Sequence, residues 1–108
     1  SWSKVLYETG AKNSMYDDKA KIRDELIMTL TAELPVMRAR LGMSQEVMAS
    51  AIGVSRQTYS AIETRTKKMS WTMFMALIAV LDMNEATSVM LDQIPDYIQT
   101  IRQLTEKK

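Results

Sequence analysis

The chain has 108 residues and contains neither cysteine nor histidine, which excludes disulfide bonds, Cys/His zinc sites and catalysis by a histidine acid or base. Apolar residues make up 46% of the chain, enough for one compact core, and no apolar run approaches the roughly 20 residues that span a bilayer. The net charge of +1 is unevenly distributed, because residues 35–70 carry +4 while both flanks are slightly acidic. Attraction to phosphate would require such a basic segment, although a chance fluctuation of surface charge remains the alternative. The first residues carry charges and no apolar block, which predicts no signal peptide and a cytoplasmic protein.

The N-terminal third predicts one helix, a break and a second helix. Asp17 and Asp18 are expected to cap the first helix, in which apolar residues recur four apart between positions 22 and 30. Pro35 disfavours helical geometry at the residue before it and suits the first turn of a new helix. We therefore expect a break at Pro35 and a second helix that ends at Gly42.

The middle of the chain predicts two short helices around a sharp turn, between Ser44 and Glu63. Ser44 and Ser55 are expected N-caps, and Gly53 tolerates the left-handed backbone of a tight turn. Ala49 is small enough for the two helix axes to approach closely. Tyr59 is expected to bury its ring and keep its hydroxyl at the rim of the core. The inward face of the first helix is predicted to consist of Val47, Met48, Ala51 and Ile52.

Three more helices follow in the prediction: one capped by Ser70, one capped by Asn84 and ending near Leu91, and one opened by Pro95. No apolar/polar alternation typical of strands persists anywhere. The predicted fold is all-α: a compact bundle of about five short helices with a helix-turn-helix, plus an N-terminal and a C-terminal helix. The predicted organisation has three parts: a flexible tail (1–16), a helix-turn-helix domain with its N-terminal extension helix (17–94), and a C-terminal helix for packing or dimerisation (95–108).

Residues Pro35–Leu91 resemble the phage repressor and Cro type of helix-turn-helix, the xenobiotic-response-element-like or lambda-repressor-like family of bacterial regulators. The resemblance rests on Arg38 and the Gly-Met-Ser-Gln-Glu run that ends at Glu46, on the turn Ile52–Ser55, and on Arg56–Glu63. It implies a sequence-specific transcriptional regulator that binds double-stranded operator DNA, with a recognition helix of about Ser55–Glu63 in the major groove. It also implies no enzymatic activity, no cofactor, no metal and no membrane.

The resemblance assigns roles to individual residues. Gln45 matches a glutamine that bonds a backbone phosphate and braces the recognition helix. Arg56 and Gln57 match positions that contact base edges, where arginine suits guanine and glutamine suits adenine. The other residues expected at the DNA are Ser55, Thr58, Ser60, Lys67 and Lys68.

Simpler interpretations of the same residues stay open. Arg56 and Gln57 could be solvated residues on a helix surface, and Lys67 and Lys68 could belong to a generic basic loop. For Arg38, ordinary surface charge competes with phosphate contact.

Two positions depart from the family pattern. Arg65 stands where the family commonly places glycine, and Met69 stands where it often has proline. A residue with a Cβ in left-handed conformation costs about 1–2 kcal/mol, which opens another path for the loop. The placement of the basic residues in this loop is therefore not fixed by the resemblance.

The oligomeric state and a rival function complete the predictions. Two copies on a two-fold axis would contact half-sites about 34–36 Å apart, and we expect a homodimer built from Asn84–Leu91 and the helix Pro95–Glu106. The rival is a helix-turn-helix protein-interaction module or antitoxin-like partner without strong DNA specificity. Such a module would not need the basic, polar face at Gln45, Arg56 and Gln57.

Overall fold

The computed structural model describes residues 15–94 and 97–105, and these residues form six helices. They are α1 (Met15–Leu41), α2 (Gln45–Ile52), α3 (Arg56–Glu63), α4 (Trp71–Met83), α5 (Glu85–Gln93) and α6 (Tyr97–Thr105). The described part of the chain contains no strand, so the prediction of an all-α fold with a helix-turn-helix is confirmed.

The predicted break at Pro35 is wrong, because α1 continues through this proline as one helix of 27 residues. The cause is burial on both sides of it: Leu30 is 1% exposed, and Leu34 and Met37 are fully buried, while Pro35 itself faces outward. A proline inside a helix costs about 3 kcal/mol, and burying each large apolar side chain contributes about 1.5–3 kcal/mol. Packing therefore outweighs the local preference, and two predicted helices become one.

The start of α1 also differs from the prediction. The helix begins at Met15, so Asp17 and Asp18 lie inside it rather than in front of it. Residues 15 and 16, assigned to the predicted tail, are helical. The rest of that predicted tail, residues 1–14, lies outside the described residues.

Glycine ends α1 and α2 with the same hydrogen bonds. After α1, the Gly42 amide donates to the Ala39 carbonyl (3.0 Å) and the Met43 amide donates to the Arg38 carbonyl (3.1 Å). Gly42 has a φ of +69°, and Gly53 after α2 has a φ of +81° with the equivalent bonds. This pair of hydrogen bonds around a left-handed residue is the Schellman motif, and it confirms that both helices end at the predicted glycines.

Four helices begin at a capping side chain, as predicted. Ser44, Ser55 and Ser70 each accept a hydrogen bond of 3.1 Å from the backbone amide three residues later. Asn84 accepts one of 3.0 Å from the amide two residues later. Each such cap typically contributes about 1 kcal/mol.

One core connects the helices. Its buried apolar side chains include Leu34 and Met37 from α1, Met48 and Ala49 from α2, Tyr59 and Ile62 from α3, and Phe74, Leu77 and Leu81 from α4. The predicted inward face of α2 is wrong in part, because Val47 is 51% exposed and Ala51 is exposed. The buried side of α2 follows helical spacing, because Ile52 lies four residues after Met48 and three after Ala49.

The C-terminal helix packs on the same domain. Helix α6 contacts α1 and α5, and the Lys19 Nζ donates to the carbonyl of Leu104 at 2.9 Å. Ile94 belongs to the buried core, and Leu104 of α6 packs against it. Pro95 and the side chains of Tyr97, Ile98 and Ile101 lie outside the described residues.

None of the helices in the described ranges is, by itself, long and apolar enough to cross a membrane. The pair α4 and α5 meets that test only when joined, by length and composition, and the pair is bent by 120°.

Candidate nucleic-acid interface

Helices α2 and α3 form a packed pair joined by Gly53, Val54 and Ser55. Ala49 is 1% exposed, so its small side chain lies in the tightly packed region of α2. Tyr59 and Ile62 of α3 are fully buried, which fixes one side of that helix against the core. The opposite side of α3 is left for solvent or a partner.

The residues predicted to contact bases lie on this outer side. Arg56 and Gln57, the first two residues of α3, are both exposed. Neither side chain forms a hydrogen bond or ion pair with any residue in the described part of the chain. Ser60, one turn further along, is half-buried. Both leading side chains are therefore available to a ligand.

Ser55 and Thr58 are engaged with each other at the start of α3. The Ser55 Oγ accepts from the Thr58 amide at 3.1 Å and donates to the Thr58 Oγ1 at 3.0 Å. The proton of the Thr58 hydroxyl remains free for an acceptor, because this hydroxyl already accepts the bond from Ser55. Of the two, Thr58 is the better placed hydrogen-bond donor.

The inner edge of α3 ends at Glu63, whose carboxylate receives four hydrogen bonds. Arg38 of α1 donates from Nε to Oε2 (2.9 Å) and from Nη2 to Oε1 (3.1 Å). Gln45 donates to Oε1 at 3.0 Å, and the Tyr59 hydroxyl donates to Oε2 at 2.5 Å. We call these four residues the Glu63 cluster. It ties the C-terminal part of α1 and the first residue of α2 to the last residue of α3.

The surroundings of the Glu63 cluster favour a charged Arg38–Glu63 pair beside a neutral Tyr59 hydroxyl. Burial alone would raise the pKa of Glu63, but the hydrogen bonds from Arg38, Tyr59 and Gln45 lower it below its usual value. The hydrogen bond to Glu63 raises the pKa of Arg38 despite partial burial. Burial, followed by the hydrogen bond to Glu63, raises the pKa of the Tyr59 hydroxyl, which keeps it a neutral donor. All three directions favour a charged Arg38–Glu63 pair at neutral pH.

The cluster contains Arg38, whose role the sequence left open, and Gln45, to which the resemblance assigns a bracing role. Arg38 is paired with a carboxylate and also donates to the Met43 carbonyl at 3.0 Å, so its charge is compensated within the protein. Gln45 directs its amide group to α3, which is the geometry of a brace. The central role of Glu63 was missed. The sequence held one indication of it, because Ile62 and Glu63 lie three and four residues after Tyr59 and so share the buried side of α3.

Lys67 and Lys68 have different surroundings in the loop after α3. The Lys68 Nζ forms an ion pair with the Asp24 Oδ1 of α1 at 2.7 Å, with both side chains more than half exposed. Lys67 is exposed and forms no ion pair with any described residue. Lys68 is thus directed towards α1, whereas the charge of Lys67 is uncompensated.

Arg65 keeps the left-handed path that the family gives to glycine. Its φ is +68°, its amide donates to the Ile62 carbonyl (3.1 Å), and the Thr66 amide donates to the Ala61 carbonyl (2.9 Å). These are the Schellman bonds already seen at Gly42 and Gly53. The loop therefore does not take another path, and the arginine carries the conformational cost.

The two ion pairs leave the uncompensated positive charge of residues 35–70 mainly around α3. Arg38 and Lys68 are the two cations of residues 35–70 that pair with a carboxylate. The other four cations form no ion pair within residues 15–94 and 97–105; they are Arg40, Arg56, Arg65 and Lys67. Three of these four belong to α3 or to the loop that follows it.

A comparison with known protein families matches residues 29–88 to the helix-turn-helix domain. The matched segment covers more than half of the chain and includes α2, its turn, α3 and α4. No curated protein and no solved structure gives a significant match. The match agrees with the phage repressor and Cro type that the motifs resemble, and it supports DNA binding. The chain belongs to the helix-turn-helix domain family.

Proposed function

We propose that this protein is a transcriptional regulator that binds a specific operator sequence in double-stranded DNA, with α3 in the major groove. The observation that carries the proposal is the pair Arg56 and Gln57, which are exposed and without a hydrogen-bond or ion-pair partner among the described residues, on a helix whose other side buries Tyr59 and Ile62. The activity is binding without catalysis or cofactor. We expect the protein to act in the cytoplasm of a bacterial cell, as the family resemblance implies.

The dimensions and the chemistry of α3 suit this role. A major groove about 12 Å wide admits a helix about 10–12 Å across, and recognition helices contact base edges from their N-terminal residues. Arg56 offers the paired donors that match guanine O6 and N7. Gln57 offers a donor and an acceptor, which match adenine N7 and N6. Ser60 follows one turn later on the same side and would reach further along the groove.

Contacts to the backbone would set the position of α3 without selecting a sequence. Gln45 lies at the start of α2, where backbone amides point towards an approaching phosphate. Its amide is held by Glu63, so a phosphate bound there would be coupled directly to α3. The Thr58 hydroxyl and Lys67 would add contacts at the two ends of α3. Lys68 would first have to leave Asp24.

The rival function, a protein-interaction module, is less well supported. Interface cores are depleted in charged residues and enriched in large apolar ones. The outer side of α3 instead presents Arg56, Gln57 and Ser60. Of the six large apolar side chains that are at least half exposed among the described residues, Met83 (82% exposed) lies at the end of α4 and Val89 (50%) lies on α5.

Those apolar residues support a second part of the proposal, a homodimer formed through Asn84–Leu91 and the C-terminal helix. Burial of Met83 and Val89 in a second copy would remove apolar surface from water. Two copies would also present two recognition helices to a two-fold symmetric site. A scattering mass of one chain, measured at high concentration with operator DNA present, would contradict the dimer.

The proposed function is tested by selecting binding sites from a random duplex pool. The parent is expected to select a two-fold symmetric sequence, and Arg56→Ala or Gln57→Ala is expected to relax preference at particular base pairs. Each lost bidentate contact corresponds to about 1–3 kcal/mol of discrimination, roughly a 5-fold to 150-fold change in relative affinity. Gln45→Ala and Lys67→Ala should weaken binding to all sequences alike.

The chain contains its own matched control for Arg56. Arg40 is an exposed arginine of α1 that forms no ion pair with any described residue. Arg40→Ala removes the same guanidinium group outside α3 and should leave the selected sequence unchanged. If the Arg56 and Gln57 variants select the parental sequence, the assignment of base contacts is wrong. If the parent binds no duplex, the proposed function itself is wrong.

A further inference from the structure

Arg65 has a left-handed backbone conformation that glycine would adopt without strain, and the turn itself does not require a side chain at this position. Three helices end in the same Schellman bonds, and the left-handed residue is glycine in two cases and arginine in the third. A Cβ added at Gly42 or Gly53 would meet no atom within 4 Å, so the cost of a side chain in these turns comes from the backbone conformation. Glycine at position 65 would remove that cost. Strain of this kind is often retained at functional sites.

The electrostatic surroundings indicate what the arginine is for. The C-terminal end of a helix carries partial negative charge, and α3 has no basic residue in its last turn. A phosphate approaching this end would be repelled unless a cation stood beyond it. Arg65 is exposed, lies two residues beyond the last residue of α3 and forms no ion pair with any described residue.

Arg65 also lies together with the other basic residues of the loop. A shallow cleft of about 160 Å³ between α1 and the loop is lined by Arg65, Lys67, Lys68, Ile27, Met28 and Thr31. Lys68 is neutralised by Asp24, so the positive charge of this cleft comes mainly from Arg65 and Lys67. An anion reaching this edge of the protein would encounter Arg65 as an unpaired guanidinium.

We propose that Arg65 binds a backbone phosphate of the DNA at the C-terminal end of α3, and that its left-handed conformation is retained to hold a guanidinium there. The inference rests on the proposed function. A guanidinium suits this task because its planar donors match two phosphate oxygens at once. Since phosphates carry no sequence information, the contact would add affinity at every site.

Three variants test the assignment through two independent readouts, thermal unfolding and the salt dependence of binding to one operator duplex. Arg65→Gly should raise Tm by about 4–8 °C, because it removes the strain. The same variant should lower the slope of log K against log salt by about 0.9, which is roughly a fivefold loss of affinity at 0.15 M salt. Arg65→Asn removes the charge but tolerates the left-handed conformation, and should lower the slope equally. Arg65→Lys should keep the slope.

The combination of higher stability and weaker binding is specific to this inference, because a purely structural residue would change Tm and leave the slope alone. Lys67→Ala is the positive control and should lower the salt slope. If Lys67→Ala lowers the slope but Arg65→Gly and Arg65→Asn both keep the parental slope, the assignment of Arg65 is wrong. A parent that binds no duplex would overturn the proposed function and the Arg65 contact together. The two failures are therefore distinguishable.

Discussion

The two sides of α3, a helix of eight residues, differ in burial and in hydrogen bonding. On the inner side, Tyr59 and Ile62 are fully buried and Glu63 accepts four hydrogen bonds. On the outer side, Arg56 and Gln57 are exposed, and neither side chain forms a hydrogen bond or ion pair with a described residue. A helix this short is marginal by itself in water, so tertiary contacts on the inner side must hold it. The buried side therefore fixes the position of α3, and the exposed side is free for the recognition that we propose.

The two ion pairs near α3 show the same contrast. In the Arg38–Glu63 pair, the side chains are 20% and 6% exposed, whereas in the Lys68–Asp24 pair they are 54% and 58% exposed. Breaking a buried pair leaves a charge without a partner, and breaking an exposed pair returns both groups to water. Substitutions in the Glu63 cluster should therefore change folding, and those on the exposed side should change binding.

The largest expected effect is the loss of the Glu63 carboxylate. Glu63→Gln should lower the free energy of unfolding by about 3 kcal/mol, because it leaves the Arg38 guanidinium unneutralised and weakens the bond from Tyr59. Urea denaturation at pH 7 measures this difference. Glu25→Gln, at an exposed carboxylate of α1, is the matched control and should stay within about 0.5 kcal/mol of the parent. Equal unfolding midpoints for the two variants would show that the cluster does not hold α3.

A smaller effect is expected from pH, with a sign fixed by the lowered pKa of Glu63. Because the folded state favours the ionised carboxylate, its contribution is fully present above the unfolded-state pKa of about 4.3 and is lost as the pH falls through the lower folded-state pKa. The difference in unfolding free energy between the parent and Glu63→Gln should be constant near neutral pH and shrink in acid. Urea titrations from neutral pH down to about pH 3 measure it. A difference that widened in acid would mean that Glu63 is protonated in the folded protein.

The smallest expected effect lies on the exposed side. Asp24→Asn removes the partner of Lys68 and should change the free energy of unfolding by less than about 1 kcal/mol. If the released Lys68 contacts phosphate, the salt slope of DNA binding should increase by up to about 0.9. Asp92→Asn, which removes an exposed carboxylate of α5, controls for the change in net charge. If Asp24→Asn and Asp92→Asn give the same salt slope, Lys68 does not contact phosphate.

The sequence predicted the parts of the fold that depend on neighbours along the chain. The serine caps at Ser44, Ser55 and Ser70 and the stops at Gly42 and Gly53 were found from single residues, because a cap or a turn satisfies backbone groups within a few positions. The exposure of Arg56 and Gln57 also followed from local pattern, since the apolar residues of α3 lie on its other side. DNA contact by these residues remains a prediction.

Only the tertiary structure decided the features that join distant segments. Pro35 alone indicated a helix break, and the buried side chains around it overrode that preference. Arg38 and Glu63 are 25 positions apart, and nothing local marks them as partners. Lys68 and Asp24, which are 44 positions apart, pair across the fold in the same way. Caps and turns depend on residues that are close along the chain and can be predicted from them. Burial and charge pairing depend on which segments meet in space, and burial and charge pairing determine the position of α3.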